Sequence, residues 1–287
     1  MDRSSRRWQT LGDPASAAEA DALAAIRALL PDDAITRAWA NVTFIDLQGR
    51  TAEVDLLLLT RAGLFVVELK GWHGRISGDQ QSWRLTAPNG SVRHERNPVF
   101  ATDLKAKRLR GLLEHTAPNA QARKAVPFVD SLVVLHGRDS VVDLPDIARS
   151  GVVALDGFNV GGLDQKLTEF LELPPTSHPP ITGPRATEIG HALDHAGFRP
   201  TPRQRFVGQY SLEKADPLDD GPGWQDLLAA HPSAPGVQRR IRLFAIPPGA
   251  SAERRAEIER AARREFVLTQ GVAHDGVVGP RDLVESE

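Results

Sequence analysis

An acidic and a basic residue stand two positions apart in an otherwise apolar stretch of this sequence. Residues 63–71 read GLFVVELKG, in which Glu68 and Lys70 carry the only charges. Residues two apart lie on the same face of a β-strand, and a strand that is apolar on both faces is usually covered on both sides. An outward-facing ion pair on an edge strand is the simpler explanation. However, burying a charge is costly unless the charge is paired or holds a metal ion, so both residues are candidates for a functional site.

A second acid, Asp55, precedes four leucines in the neighbouring segment AEVDLLLLT. Only two residues and then a glycine separate this segment from the first one, which predicts a β-hairpin that brings Asp55 to the same end as Glu68 and Lys70. Two carboxylates and a lysine in one place suit metal-dependent cleavage of a phosphodiester. The carboxylates would hold Mg²⁺, and the lysine would orient water or neutralise charge on the phosphate. Glu19, in the first predicted helix, is a candidate further ligand, although a solvated helix position explains it equally well.

The order of the predicted elements indicates a mixed α/β domain. An Ala/Leu-rich helix of about 14 residues ends at Pro31. Three strands, a more exposed hairpin, a basic amphipathic helix from Pro98, two apolar strands and a helix over residues 161–173 follow. The prediction is therefore a mixed central sheet flanked by helices.

The composition is that of an ordinary globular protein, and it excludes several classes of function. The chain has 287 residues, a formal net charge of -2 and no cysteine. The lack of cysteine excludes disulfides, zinc–thiolate sites and thiol nucleophiles, and the near-neutral charge excludes a global electrostatic attraction to nucleic acid. Neither a secretory signal nor a membrane-spanning stretch is apparent, so we expect a cytoplasmic protein.

The three charged residues belong to a longer pattern that covers roughly residues 12 to 137. Besides Asp55, Glu68 and Lys70, the pattern contains Gly74, Ile76, Gly78, Trp83, an Asn-Pro pair and a basic helix. It resembles the nuclease-related domain, NERD, of the PD-(D/E)XK nuclease superfamily. The resemblance implies a restriction-endonuclease-like fold, Mg²⁺ or Mn²⁺ as cofactor, and Asp55, Glu68 and Lys70 as catalytic residues. The implied metal ligands are Asp55, Glu68 and Glu19.

The resemblance also implies a nucleic-acid partner, with DNA as the first choice. Many members of the family carry a glutamine soon after the Asn-Pro pair, where this chain has Ala101. The basic helix offers Lys105, Lys107 and Arg108 as alternative contacts to nucleic-acid phosphates, whereas a solvated helix face is the commoner explanation for such charges. A homodimer fits the resemblance as well, because many such nucleases need two active sites to cut a duplex.

The C-terminal part of the chain has a different pattern. Residues 174–205 contain seven prolines, which is typical of a linker, here with one short helix. Residues 206–287 resemble the beginning of a protein-kinase N-lobe, with a degenerate glycine-rich loop, RRIRLFAIPP as the third strand, and Glu265 as the glutamate of helix C. Phe244 stands where a kinase needs a lysine, and no HRD or DFG segment follows, so we expect no kinase activity from these residues.

The combination predicts three parts: a nuclease-like domain over 1–173, a linker over 174–205 and a kinase N-lobe-like fragment over 206–287. It resembles the N-terminal part of the large kinases of phage-growth-limitation (BREX-type) defence systems, which implies other defence proteins as partners. The main hypothesis is a metal-dependent nuclease or nucleic-acid-binding domain in phage defence. The alternatives are a catalytically silent scaffold or sensor that regulates an attached serine/threonine kinase, and a nucleotide-binding kinase lobe with a sensing domain. The intact Asp55, Glu68 and Lys70 favour the nuclease.

Overall fold

The chain divides into two compact units. The structure, a computed structural model, describes residues 1–2, 5–174, 179–201, 205–212, 217–247, 250–272, 280 and 282–284. Unit 1 consists of Met1–Phe44 and Glu53–Arg203, and unit 2 consists of Ile45–Ala52 and Gln204–Glu287. Both units combine helices and strands, which confirms the predicted α/β class. No helix in the described part of the chain is long and apolar enough to cross a membrane.

Unit 1 holds most of the regular structure. Its strands are β1 (Trp8–Thr10), β2 (Arg37–Ile45), β3 (Thr51–Leu59), β4 (Leu64–Lys70), β5 (Gly74–Gly78), β6 (Ser82–Thr86), β7 (Val92–Arg96), β8 (Val129–Leu135), β9 (Ser140–Asp143), β10 (Val152–Ala154), β11 (Val160–Gly161) and β12 (Arg199–Pro200). Its helices are α1 (Ala17–Leu29), α2 (Pro98–Thr116), α3 (Ala120–Ala125), α4 (Asp146–Arg149), α5 (Leu167–Leu171) and α6 (Gly183–Asp194). The last residue of β2, Ile45, and the first two residues of β3, Thr51 and Ala52, are assigned to unit 2.

Two mixed sheets form the framework of unit 1. The first has the order β1-β2-β3-β4-β8-β10, with β12 also paired to β2. In it, β3 and β4 are antiparallel, as the predicted hairpin requires, whereas β8 runs parallel to β4 and β10 runs parallel to β8. The second sheet has the order β11-β9-β5-β6-β7. Mixed sheets with flanking helices are consistent with the restriction-endonuclease-like fold.

Strand β4 lies inside the first sheet and is covered on both faces. Phe65, Val67 and Leu69 belong to the apolar core that also contains the buried side chains of α1. The alternate positions of β4 face the other way, toward α2, which packs against β4 and β8. The apolar character of both faces therefore follows from a central position in the sheet.

Local signals place the two helices that cover β4. Ser16 caps α1, since its Oγ accepts the Glu19 N–H at 3.1 Å. Helix α2 begins at Pro98, whose missing N–H costs nothing in the first turn, and the Asn97 side chain accepts the Val99 N–H at 2.9 Å. The buried residues of α2 recur every three or four positions, so that one side of the helix lies on the sheet: they are Pro98, Thr102, Ala106, Leu109, Leu112 and Leu113.

One stretch differs from the sequence-based expectation, and a second, rich in proline, contains regular structure. The helix predicted over residues 161–173 is wrong in its first part, where β11 ends and Gly162 takes a φ of +78°. A Cβ at Gly162 would lie 2.0 Å from the Val142 carbonyl oxygen, so the close approach of two backbones requires glycine here. In the proline-rich stretch, the 12-residue helix α6 packs against α3, and β12 pairs with β2.

Unit 2 is built on one antiparallel sheet in its described part. Its elements are β13 (Arg205–Val207), β14 (Tyr210–Leu212), β15 (Asp219–Gly221), β16 (Trp224–His231), β17 (Ala234–Leu243) and α7 (Ala252–Gln270). The sheet has the order β13-β14-β16-β15, with β17 also paired to β16. Its small core consists of Leu212, Leu227 and Ala229. The kinase-like pattern continues into residues 273–279, which lie outside the described residues.

Candidate active site

Asp55, Glu68 and Lys70 share one face of the first sheet. The register pairs Leu56 with Val67, and the next residues of the two strands, Asp55 and Glu68, both project from the face opposite to that of Leu56 and Val67. Directly opposite residues of antiparallel strands project to the same face, and Lys70 follows two positions after Glu68. The face is the one covered by α2. The hairpin register, which the sequence left open, thus brings the two acids and the lysine together.

The Asp55 carboxylate lies where β3 and β4 separate. The pairing of the two strands ends at Leu56 and Val67, and beyond it Asp55 Oδ2 accepts the Leu69 N–H at 2.9 Å. The Asp55 carboxylate thus provides the acceptor for the Leu69 N–H, which lies beyond the last backbone pair of the two strands. The residue is 7% exposed. This hydrogen bond fixes the orientation of Asp55 relative to the end of β4.

Glu68 binds one lysine at each carboxylate oxygen. Lys70 Nζ lies 2.8 Å from Oε1, and Lys105 Nζ, which comes from α2, lies 2.8 Å from Oε2. The side chains are largely covered: that of Glu68 is 13% exposed, that of Lys70 27% and that of Lys105 17%. Hydrogen bonds between two ionised groups at this distance are among the strong ones, particularly away from bulk water.

The lysines determine the protonation state of the site. Burial alone would raise the pKa of the Glu68 carboxyl, but the charges of Lys105 and Lys70 outweigh burial and lower that pKa to about 2. Burial would lower the pKa of Lys70, but Glu68, and after it Asp55, raise that pKa above its ordinary value. At neutral pH, Glu68 is therefore ionised and Lys70 is protonated. A protonated Lys70 can donate hydrogen bonds and neutralise charge, but it cannot accept a proton.

Aromatic and histidine side chains lie beside Lys70. Its Nζ is 5.5 Å from the centre of the Trp72 ring. His73 is exposed, with Nδ1 3.0 Å from the Arg138 carbonyl oxygen. The buried His136 donates its backbone N–H to the Lys70 carbonyl at 3.0 Å. Burial, and then the charge of His73, lower the pKa of the His136 imidazole, so this ring is neutral at pH 7. Sequence reasoning missed His136, because a single buried histidine at a strand end has no spacing signature.

The basic residues predicted to contact phosphates, all on α2, point in different directions from the helix. Lys105 lies inside the site, on the flank of the buried side of α2. Lys107 points elsewhere, since its Nζ pairs with Asp103 Oδ2 at 2.6 Å and its side chain is 62% exposed. Residues two apart on a helix face different directions, whereas Arg108, three after Lys105, lies on a neighbouring part of the surface. The direct contact of Lys105 with Glu68 was not foreseen, because it depends on how α2 docks.

Glu19 contributes to the start of α1. Its N–H donates to Ser16 Oγ, and its Oε2 accepts the Ala15 N–H at 3.2 Å, an arrangement close to a capping box. Within the described ranges, no group of three or more His, Cys, Asp and Glu side chains is arranged to hold a metal ion. The Asp55–Glu68 pair still fits a divalent cation, because Mg²⁺ is commonly held through one or two carboxylates and otherwise keeps its waters. The set of three acids stays a prediction.

In unit 2, Glu265 of α7 pairs with a residue of β17. Arg242 Nη1 donates to Glu265 Oε1, and its Nε and Nη2 donate to the two oxygens of Asp226, each at 2.7 Å. The same guanidinium lies 3.8 Å from the centre of the Trp224 ring. The sequence comparison with kinases had placed Phe244 at the position facing Glu265, whereas the strand offers Arg242, two residues earlier. The kinase-like interpretation of this unit stays a prediction.

Comparison with known proteins identifies the region that carries the site. Residues 14–136 match the family model of the nuclease-related domain, NERD. The chain is also similar to "Probable kinase PglW" of Streptomyces coelicolor (strain ATCC BAA-471 / A3(2) / M145), with 35% identity over 274 residues. That alignment covers 95% of this chain and 16% of the kinase, so the chain corresponds to a small part of the relative. No solved structure matches the chain significantly. Residues 14–136, which include Asp55, Glu68, Lys70 and Lys105, are therefore a nuclease-related domain, as the sequence pattern predicted.

Proposed function

We propose that this nuclease-related domain is a metal-dependent nuclease that acts on nucleic-acid phosphodiesters, with DNA as the expected substrate. The observation that carries the proposal is the common face of Asp55, Glu68 and Lys70 at the end of two paired strands. Asp55 and Glu68 would hold a divalent cation. When bound there, such a cation supplies Lewis-acid activation of water and of a phosphoryl oxygen.

Lys70 has the role of neutralising charge on the phosphate. Its ammonium is held between the Trp72 ring and the Glu68 carboxylate, and it stays protonated because Glu68 and Asp55 raise its pKa. A fixed donor in a partly covered site stabilises negative charge that develops on phosphate oxygens more strongly than water does. Lys70 therefore binds and orients the phosphate, and the proton of the attacking water leaves by another route.

A role in phage defence is part of the proposal. It is supported by the 35% identity to "Probable kinase PglW". The sequence pattern also resembles the N-terminal part of phage-growth-limitation kinases. On this basis, the nuclease-related domain would act beside a kinase and other defence proteins. The chain spans 16% of the length of that relative.

A cleavage assay on supercoiled circular and on linear duplex DNA, with Mg²⁺ or Mn²⁺, tests the proposal. We expect Glu68→Gln and Lys70→Met each to lower the cleavage rate by at least about 100-fold, the usual effect of removing one group that stabilises transition-state charge. Glu114→Gln is the matched control, since Glu114 pairs with Arg110 on the exposed side of α2. Equal cleavage rates in all four proteins would refute the assigned site.

A catalytically silent scaffold is the second candidate, and one observation favours it. Both oxygens of Glu68 already have ammonium partners, so the described site is a complete ion-pair network without any ligand. For such a scaffold, we expect the chain to bind DNA or a divalent cation while the cleavage rate stays at the level of Glu68→Gln. The same assay, combined with a DNA-binding measurement, separates the two candidates.

A further inference from the structure

The two lysines at Glu68 differ in how they are held. Lys70 comes from the same strand as Glu68, and it is attracted by Asp55 as well, which contributes to the raised pKa of its ammonium. Lys105 comes from α2 and reaches Glu68 Oε2 across the gap between helix and sheet. Its ammonium is carried on a flexible four-carbon stem, which can turn away without a change in the backbone.

We propose that the Lys105 ammonium occupies the position at Glu68 Oε2 that a divalent cation takes, so that Lys105 leaves Glu68 whenever the cation binds. The inference rests on the proposed nuclease function and assigns to Lys105 a regulatory role at that site. In the closed state, Lys105 keeps Glu68 ionised and in place. In the open state, Glu68 is free to act as a metal ligand.

Electrostatics requires the exchange. Asp55, Glu68, Lys70 and Lys105 together carry two formal negative and two formal positive charges, so a divalent cation would add to a group that is already balanced. A bound cation and a neighbouring ammonium at contact distance repel each other more strongly in a partly covered site than in water. Departure of one ammonium reduces this repulsion and frees a carboxylate oxygen at the same time. Lys70 is the less suitable one to leave, because it comes from the same strand as Glu68 and its ammonium also lies 5.5 Å from the centre of the Trp72 ring.

The released ammonium has an evident partner in the substrate. Lys105 lies on the basic helix α2, three residues before Arg108, and a nucleic-acid phosphate that enters the site supplies a new negative charge for it. Binding of substrate and binding of the cation therefore support each other. DNA therefore raises the affinity of the site for the cation, and Lys105 mediates this coupling.

Binding of Mn²⁺ to the 287-residue chain, followed by the decrease of the free-ion electron paramagnetic resonance signal, tests the exchange without reference to cleavage. We expect Lys105→Met to bind Mn²⁺ at least about tenfold more tightly than the wild type, because an ammonium no longer competes for Glu68. Lys107→Met, in which the exposed neighbouring lysine is lost, should bind as the wild type does. Lys105→Arg keeps a cation at this position and should bind no more tightly than the wild type.

The outcomes distinguish this inference from the proposed function. If Glu68→Gln abolishes Mn²⁺ binding but Lys105→Met binds only as well as the wild type, the exchange is wrong while the metal site stands. If neither the wild type nor Lys105→Met binds Mn²⁺, the exchange is wrong and the metal-dependent nuclease is wrong with it. Lys105→Gln, which keeps a donor for Glu68 but carries no charge, replaces the methionine variant if that variant does not fold.

Discussion

Each unit of the chain places one carboxylate between two basic side chains, but the two arrangements use different cations. In unit 1, Glu68 binds Lys70 and Lys105, each through a single ammonium at one oxygen. In unit 2, Asp226 of β16 binds Arg240 and Arg242 of β17. The side chain of Asp226 is 1% exposed, whereas that of Glu68 is 13% exposed.

The difference in cation decides what each carboxylate can do. Arg242 approaches Asp226 with Nε at one oxygen and Nη2 at the other, and its plane stacks on Trp224. A guanidinium bound in this fixed fork geometry cannot leave without losing several contacts at once, whereas a lysine ammonium can change partners by turning its flexible stem. Through Glu265, Arg242 also links the sheet of unit 2 to α7. A carboxylate held between arginines is therefore a structural anchor, whereas a carboxylate held between lysines can exchange a lysine for another cation.

Loss of the structural carboxylate should have the larger effect on stability. We expect Asp226→Asn to lower the free energy of unfolding by about 3–5 kcal/mol, since it leaves two guanidinium groups facing a neutral side chain that is no longer an ionic partner. Urea unfolding of the full chain, followed by circular dichroism, measures the effect on unit 2. If Glu68→Gln lowered the free energy of unfolding more than Asp226→Asn does, the contrast between the structural and the exchangeable carboxylate would be wrong.

The stability contributed by Glu68 should depend on pH in a defined window. Its pKa is depressed from 4.5 to about 2 in the folded chain, so its contribution is fully present above pH 4.5 and is lost as the pH falls from 4.5 toward 2. The difference of about 2.5 pKa units corresponds to roughly 3 kcal/mol at neutral pH. The measurement is the unfolding free energy of the wild type minus that of Glu68→Gln between pH 2 and pH 7. A difference that stays constant with pH would show that the lysines do not hold the Glu68 carboxylate in its ionised form.

A conservative change of cation should have the smallest effect. Arg242→Lys keeps the charge but loses the two-point contact with Asp226 and the stacking on Trp224, so we expect a loss of about 1–2 kcal/mol in the free energy of unfolding. Arg254→Lys, at an exposed pair with Glu257 on α7, is the matched control and should change the free energy little. An unchanged stability in Arg242→Lys would mean that the geometry of the guanidinium is irrelevant, and the contrast between the two clusters would lose its basis.

The sequence predicts those parts of the site that depend on neighbours in the chain. The short link between β3 and β4 indicates their hairpin, and Asn97 with Pro98 marks the start of α2. The resemblance to NERD, confirmed over residues 14–136, indicates the carboxylates and the lysine. Contacts that depend on the docking of distant elements could not be predicted in this way. The pairing of Lys105 with Glu68 spans 37 positions, and no local pattern distinguishes Lys105 from Lys107.

Unit 2 was harder to predict, for a physical reason that Asp226 illustrates. Strand β16, WQDLLAAH, was not predicted, and it carries the buried charge of Asp226. The arginines that compensate this charge stand 14 and 16 positions later, so the strand becomes plausible only when β17 is paired with it. The sequence predicts one short helix among the prolines of residues 174–205, whereas the packing of that helix, α6, against α3 depends on contacts between distant parts of the chain.

The most direct test of the contrast is DNA cleavage in Mn²⁺ by the wild type, Glu68→Gln and Asp226→Asn, at a temperature where all three are folded. The nuclease site predicts that Glu68→Gln cleaves at least about 100-fold more slowly than the wild type, because the site loses a carboxylate that binds the cation. Asp226→Asn should retain the wild-type cleavage rate, because the substitution lowers the free energy of unfolding without changing the nuclease site. Cleavage by Glu68→Gln at the wild-type rate would contradict the assignment of Asp55, Glu68 and Lys70 as the active site.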